Sequence, residues 1–305
     1  MSNIGTIIRY GAGLGFLLLL LFNSGCTCDR QIKEREADFT VDLSEDSFED
    51  LARVRQIFYS LPSPLETAML LKSSGAVYNE DLLNPVENVS RYMTNRSMAL
   101  NLGIYTTDLS YASLFDQTQT TMHYMDAARR LADNLGILDA IDSYTLERLE
   151  ENINNREVIM DIVSETFMNS SSFLQENNRE PVAAILLVGG WIEGLYLAVN
   201  QIDEDDLEDN RLVNMVIDKK LSLEIVMLLL KDNDHNDDVT DLIREMERIE
   251  NIFSGIEIQS SPVRVTESAD DQVAFIRSET KSSISREVFI ELKSTVTSIR
   301  NSFVS

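Results

Sequence analysis

Apolar residues recur at three- and four-residue intervals through most of the chain beyond about residue 45, the period of a helix that buries one face. The clearest run is Val239, Leu242, Ile243, Met246, Ile249 and Phe253, and a second is Ile284, Val288, Leu292, Val296, Ile299 and Phe303. Cap residues predict where helices begin. In "SPLE", Ser63 can accept from the backbone N–H of Glu66, Pro64 takes the first helical position, and Glu66 can reach back. "NPVE" repeats this logic with Asn84 as cap, and Gly75 is expected just past the end of the helix that Ser63 opens. Further starts are expected at Ser47, Asn154, Ser222 and Asp238. The pattern fails between Ser260 and Thr280, where "VRVT" reads as a short extended piece inside a loop. No repeat of fixed period is found, which disfavours a solenoid. The expected fold is all-α: an irregular bundle of about nine to eleven helices around a central apolar helix.

That central helix is "PVAAILLVGGWIEGLYLAV", Pro181 to Val199. A spanning helix needs roughly 20 apolar residues, so it is long enough to cross a membrane. It carries Glu193, however, and an acid near mid-membrane costs roughly 3 kcal/mol. No Lys/Arg bias marks either flank. Burial at the centre of a bundle is the expected role. Gly190, Gly194 and Ala198 fall four apart and form a smooth stripe for close approach of a neighbour. Glu193 follows Gly189 and Gly190 by about a turn. A buried carboxylate needs a cationic partner from another helix or, alternatively, faces a ligand. Trp191, Glu193 and Tyr196 are therefore the candidate core polar site or pocket. The ligand alternative requires a cavity on the order of several hundred Å³ beside this helix.

The start of the chain follows a different pattern. One cation, Arg9, precedes an apolar run from Gly11 to Phe22, and "NSGC" brings small residues before Cys26. A run of about a dozen residues suits the hydrophobic region of an export signal rather than a spanning helix. The "SGC" ending resembles the bacterial lipobox, although Asn23 stands where that motif usually has Leu. The organisation expected is a lipoprotein signal peptide over 1–25, lipid attachment through palmitate-type acyl chains at Cys26, a flexible polar tether over 26–44, and one α-helical domain over 45–305. Ordinary cleavage after Gly25 and an uncleaved anchor are the alternatives. With Cys26 acylated, Cys28 has no partner in the chain and no structural disulfide is available.

Charge narrows the partners. The chain holds 51 acidic and 26 basic residues, a formal charge of −25. Such a surface repels nucleic-acid phosphates and favours solubility, cations and basic protein faces. Motifs for chemistry are sparse. Two histidines, His123 and His235, provide no zinc cluster, and no nucleophile elbow, Walker loop or dinucleotide fingerprint is present. Asp126, three residues after His123, could orient that imidazole, but no nucleophile accompanies them. "DNDHNDD", Asp232 to Asp238, resembles half of an EF-hand loop, with Asp237 in place of the turn glycine and Ile243 in place of the closing Glu. It and "DEDDLED", Asp203 to Asp209, read as solvated turns. No catalytic residue, metal ligand or cofactor is expected.

Three stretches, "FYSLPSPLETAMLLKSSGAVYNEDLLNP", "LGIYTTDLSYASLFDQTQTTMHYM" and "GGWIEGLYLAV", together resemble a family of hypothetical lipoproteins from Bacteroidetes-type bacteria. The resemblance implies an envelope location and supplies no catalytic residues. "TCDRQ" after Cys26 lacks the acidic cluster associated with surface export in such bacteria, so the periplasmic side is expected. The functional expectation is a lipid-anchored, non-enzymatic interaction or scaffold module with an acidic surface and an envelope protein as partner. A small-ligand binding or sensing module, with its pocket near Trp191, Glu193 and Tyr196, is the alternative.

Overall fold

The computed structural model describes residues 61–138, 143–152, 155–260, 264–267, 274–277 and 280–305. The expectations for the signal peptide, Cys26, Cys28, the tether and the helix starts at Ser47 and Asn154 lie outside those residues. Internal contacts divide the chain into Met1–Ser44 and Glu45–Ser305, and every described residue belongs to the second unit.

The fold is all-α, with nine α-helices among the described residues: α1 (Pro64–Ser73), α2 (Asn95–Leu114), α3 (Thr118–Asn134), α4 (Ser143–Glu151), α5 (Arg156–Glu176), α6 (Glu180–Val199), α7 (Arg211–Lys231), α8 (Asp237–Ser254) and α9 (Arg286–Val304). Ser63 caps α1 reciprocally: its hydroxyl accepts from the Glu66 N–H at 3.2 Å, and the Glu66 carboxylate accepts from the Ser63 N–H at 2.7 Å. Gly75 then turns the chain at φ +100°, a conformation that costs glycine little.

Three expected starts are corrected. Asn84 caps no α-helix; it precedes a 3-10 helix, Val86–Arg91, and is completely buried. Ser222 lies inside α7, whose cap is Asn210, with an amide oxygen that accepts from the Leu212 and Val213 N–H groups. The cap of α8 is Asn236, which places Asp238 in the first turn, where an acid favours the positive end of the helix dipole. Between α8 and α9 run four short strands, β1 (Glu257–Ser260), β2 (Arg264–Glu267), β3 (Ala274–Arg277) and β4 (Thr280–Ser283). β1 pairs with β4 and β2 with β3, both antiparallel, so the pairs are nested. The extended piece expected at "VRVT" falls on β2.

Two helices make the centre. α6 is buried from Ala183 to Val199, and α2 from Met98 to Leu114. They form the most extensive helix pair, with α1, α3, α5 and α9 packed on α2, and α1, α5, α7 and α9 on α6. Among the described residues, α6 is the one helix long and apolar enough to cross a membrane by composition, and most of it is buried inside the protein.

α2 is far more polar, and its burial has a local explanation. Thr106, Thr107 and Ser110 each donate a hydroxyl to the carbonyl four residues back, at 2.7, 3.1 and 2.8 Å, so these hydroxyls need no water. Glycines let the two axes meet. A Cβ on Gly103 would stand 2.0 Å from the Leu186 carbonyl oxygen, and one on Gly189 would stand 2.0 Å from that of Leu100. Gly189 and Gly103 therefore form the closest crossing. Gly194, on the expected small-residue stripe, serves other neighbours: Thr67 of α1 and Lys219 of α7.

Candidate functional site

Glu193 is fully buried on α6 and is held by Arg300 of α9 in a two-pronged ion pair, Nε to Oε2 at 2.9 Å and a terminal guanidinium nitrogen to Oε1 at 3.0 Å. The guanidinium also donates to the Leu82 carbonyl oxygen at 3.1 Å and lies over the Tyr196 ring, 4.5 Å from its centroid. Burial opposes the charge on Arg300, but Glu193 more than offsets this and the guanidinium pKa is raised.

Asp108 of α2, not singled out from the sequence, completes the centre. It too is completely buried. Its Oδ2 accepts from the Asn84 N–H at 3.1 Å, while Oδ1 accepts no hydrogen bond from the described residues. Burial first, and the adjacent Glu193 carboxylate second, raise its pKa well above the ordinary 3.8. This shift favours the protonated form of Asp108, which relieves the repulsion between the two neighbouring carboxyl groups. Around this centre Asn84 donates to Tyr92 and Asn101, both at 3.0 Å, and its carbonyl accepts from Tyr124 at 2.9 Å. Asn101 donates to the Phe303 carbonyl oxygen at 2.8 Å. The network thereby ties residues 82–92 to α2, α3, α6 and α9. Of the two roles open to Glu193, the arrangement is the ion pair between helices.

Trp191, Glu193 and Tyr196 do not share a pocket. Positions two apart on a helix are separated by about 200° of rotation, so Trp191 leaves α6 on the side opposite Glu193, whereas Tyr196 stays with Glu193 and Arg300. The crevice beside Trp191 and Leu61–Pro64 is about 20 Å³, room for about one water. The Trp191 indole N–H donates to the Ser222 hydroxyl of α7 at 2.9 Å.

That second side of α6 leads to a group missed in the sequence. Lys219 of α7 is 4% exposed, and its ammonium has no hydrogen-bond partner among the described residues. The nitrogen is 5.8 Å from the Trp191 ring centroid and 3.7 Å from where a Cβ on Gly194 would stand, so the glycine leaves it room. Burial pushes the ammonium down to about 8. Lys219 and Ser222 line a cleft of about 520 Å³ between α1 and α7.

His123 lies on the exposed side of α3, as does Asp126, which pairs with Arg129 at 3.5 Å. His123 therefore belongs to neither buried cluster. His235 is exposed in the α7–α8 turn. No cluster of metal-ligating side chains occurs among the described residues. In "DEDDLED", Glu204 and Asp205 pair with Arg286, and Glu204 also with Lys293, bracing the α6–α7 turn against α9.

No family model, curated protein or solved structure matches the chain.

Proposed function

We propose that the chain is a lipid-anchored helical protein of the bacterial envelope, tied to the membrane through Cys26, that acts as an interaction or scaffold module through its acidic surface. The observation that supports this reading is how charge is divided. Glu193, Arg300 and Asp108 are committed to one another inside the core, whereas acids are exposed at both ends of α7: Asp203, Asp205, Asp206, Glu208 and Asp209 before it, and Asp234, Asp237 and Asp238 after it. The 21 residues of α7 separate these groups by about 30 Å. Two acidic patches on a rigid spacer suit a protein partner with basic patches at matching distance. Purification of the native protein at low salt, followed by mass spectrometry, tests this. The expected result is a basic partner released at about 0.5 M salt, where screening shortens charge attraction to a few Å, and lost when both acidic groups are changed to Asn and Gln. Unchanged recovery after that neutralisation overturns the acidic-surface reading. For the anchor, Cys26→Ser is expected to abolish fatty-acid labelling and membrane fractionation; retention of both overturns it.

A second reading, small-ligand binding, is favoured by the α1–α7 cleft. Its volume lies within the range of about 300–1,000 Å³ typical of ligand sites, and of the three residues expected from sequence to border a pocket, Trp191, Glu193 and Tyr196, it lies beside Trp191.

A further inference from the structure

We infer that the cleft between α1 and α7 binds a small amphiphilic carboxylate, an organic acid with an apolar body, whose head pairs with the Lys219 ammonium. The inference rests on the ligand-binding reading and gives it a chemical class. Three observations converge. A buried cation ordinarily has an anionic partner, because water is no longer there to solvate it, yet the Lys219 ammonium donates to no group among the described residues. Second, the cleft has a cationic balance in a chain of charge −25: among its described lining residues Arg211 and Lys219 accompany one acid, Asp218. Third, the walls are apolar and open. Leu70 of α1 and Leu221 of α7 both line the cleft and are 45% and 61% exposed, with Met215 and Ile225 beside them. Large apolar side chains left in water over a cationic floor match a ligand with a charged head and an apolar body. The four-carbon lysine stem lets the ammonium move to meet the head.

Trp191 provides the readout, because it is the only tryptophan in the chain and its ring lies beside Lys219. The experiment titrates the full-length chain with decanoate below its micellar range and follows Trp191 emission, with decanol and decylamine as neutral and cationic controls. The expected result is a saturable change with decanoate, weakened at least tenfold by Lys219→Met, and no such weakening for decanol. Leu70→Asp provides a second variant at an exposed position. It adds a like charge to the wall and is expected to reduce decanoate affinity at least tenfold with the core intact, so the inference is still tested if Lys219→Met does not fold. Equal decanoate affinity in wild type and either folded variant overturns the inference. Saturable binding of decanol or decylamine but not decanoate overturns the carboxylate assignment and leaves the ligand-binding reading standing. Absence of saturable binding by all three overturns both.

Discussion

Replacing Asp108 with Asn isolates the cost of keeping a buried carboxylic acid neutral. In the folded chain the pKa of Asp108 is raised above the ordinary 3.8, chiefly by burial and next by Glu193. A raised folded pKa contributes stability that is fully present below the unfolded value and is lost as pH rises through the folded value. Between those two values, folding requires proton uptake from a state that has already ionised, and each pH unit costs about 1.4 kcal/mol. Asn has nearly the same shape, no proton to gain, an oxygen to accept from the Asn84 N–H and an N–H to offer Glu193. Asp108→Asn is therefore expected to be close to wild type near pH 4. It should become progressively more stable than wild type as pH rises, the gap widening by up to about 1.4 kcal/mol per unit. Urea denaturation of both proteins at half-unit steps from pH 4 to 7.5 measures this. A pH-independent difference between them would refute the protonated Asp108, as would a deficit in the Asn variant that grows with pH. Asp108 would then be acting as a second anion for Arg300.

Arg300→Leu leaves the Glu193 carboxylate buried without its cation, and a loss of about 3–5 kcal/mol is expected in urea denaturation, as for other broken buried pairs; a loss below 1 kcal/mol would mean that α9 does not hold the core through this pair. Gly103→Ala is expected to destabilise by at least about 1–3 kcal/mol, since its Cβ meets the Leu186 carbonyl oxygen at 2.0 Å and the α2–α6 crossing must open. Gly190→Ala, whose nearest contact is the movable Thr107 hydroxyl at 3.3 Å, should cost less, and thermal denaturation of the two variants compares them directly.

Local signals were legible because the atoms that satisfy them are local. Ser63, Pro64 and Glu66 form a capping box within four residues, and the stripe from Val288 to Phe303 needs only a core to face. The centrality of α6 was legible from composition. α2 was not, because its polar residues are satisfied by its own carbonyls and by residues far along the chain. Asn84 shows the same limit from the other side. It has the sequence setting of a cap, but Asp108, Tyr92 and Asn101 offer it better partners, and Pro85 leads only into a 3-10 turn. For the site, Glu193 could be assigned a cationic partner from sequence, but not which cation. The placement of Trp191 opposite Glu193 was available from helix rotation alone. Lys219 gave no signal: among Asp218, Lys220 and Leu221 it has the setting of a surface lysine, and only the meeting of α1, α6 and α7 buries it.

The position of Arg300 along the chain has a consequence for how the protein is made. The centre it closes is assembled from Leu82, Asp108 and Glu193, which lie 218, 192 and 107 residues earlier. Until α9 docks, α2 and α6 pack around Asp108 and Glu193 without the Arg300 guanidinium. The ion pair at the centre of the core therefore forms only once α9 has docked. In the exported, lipid-anchored protein proposed above, the core would then be completed only after α9 had crossed the membrane.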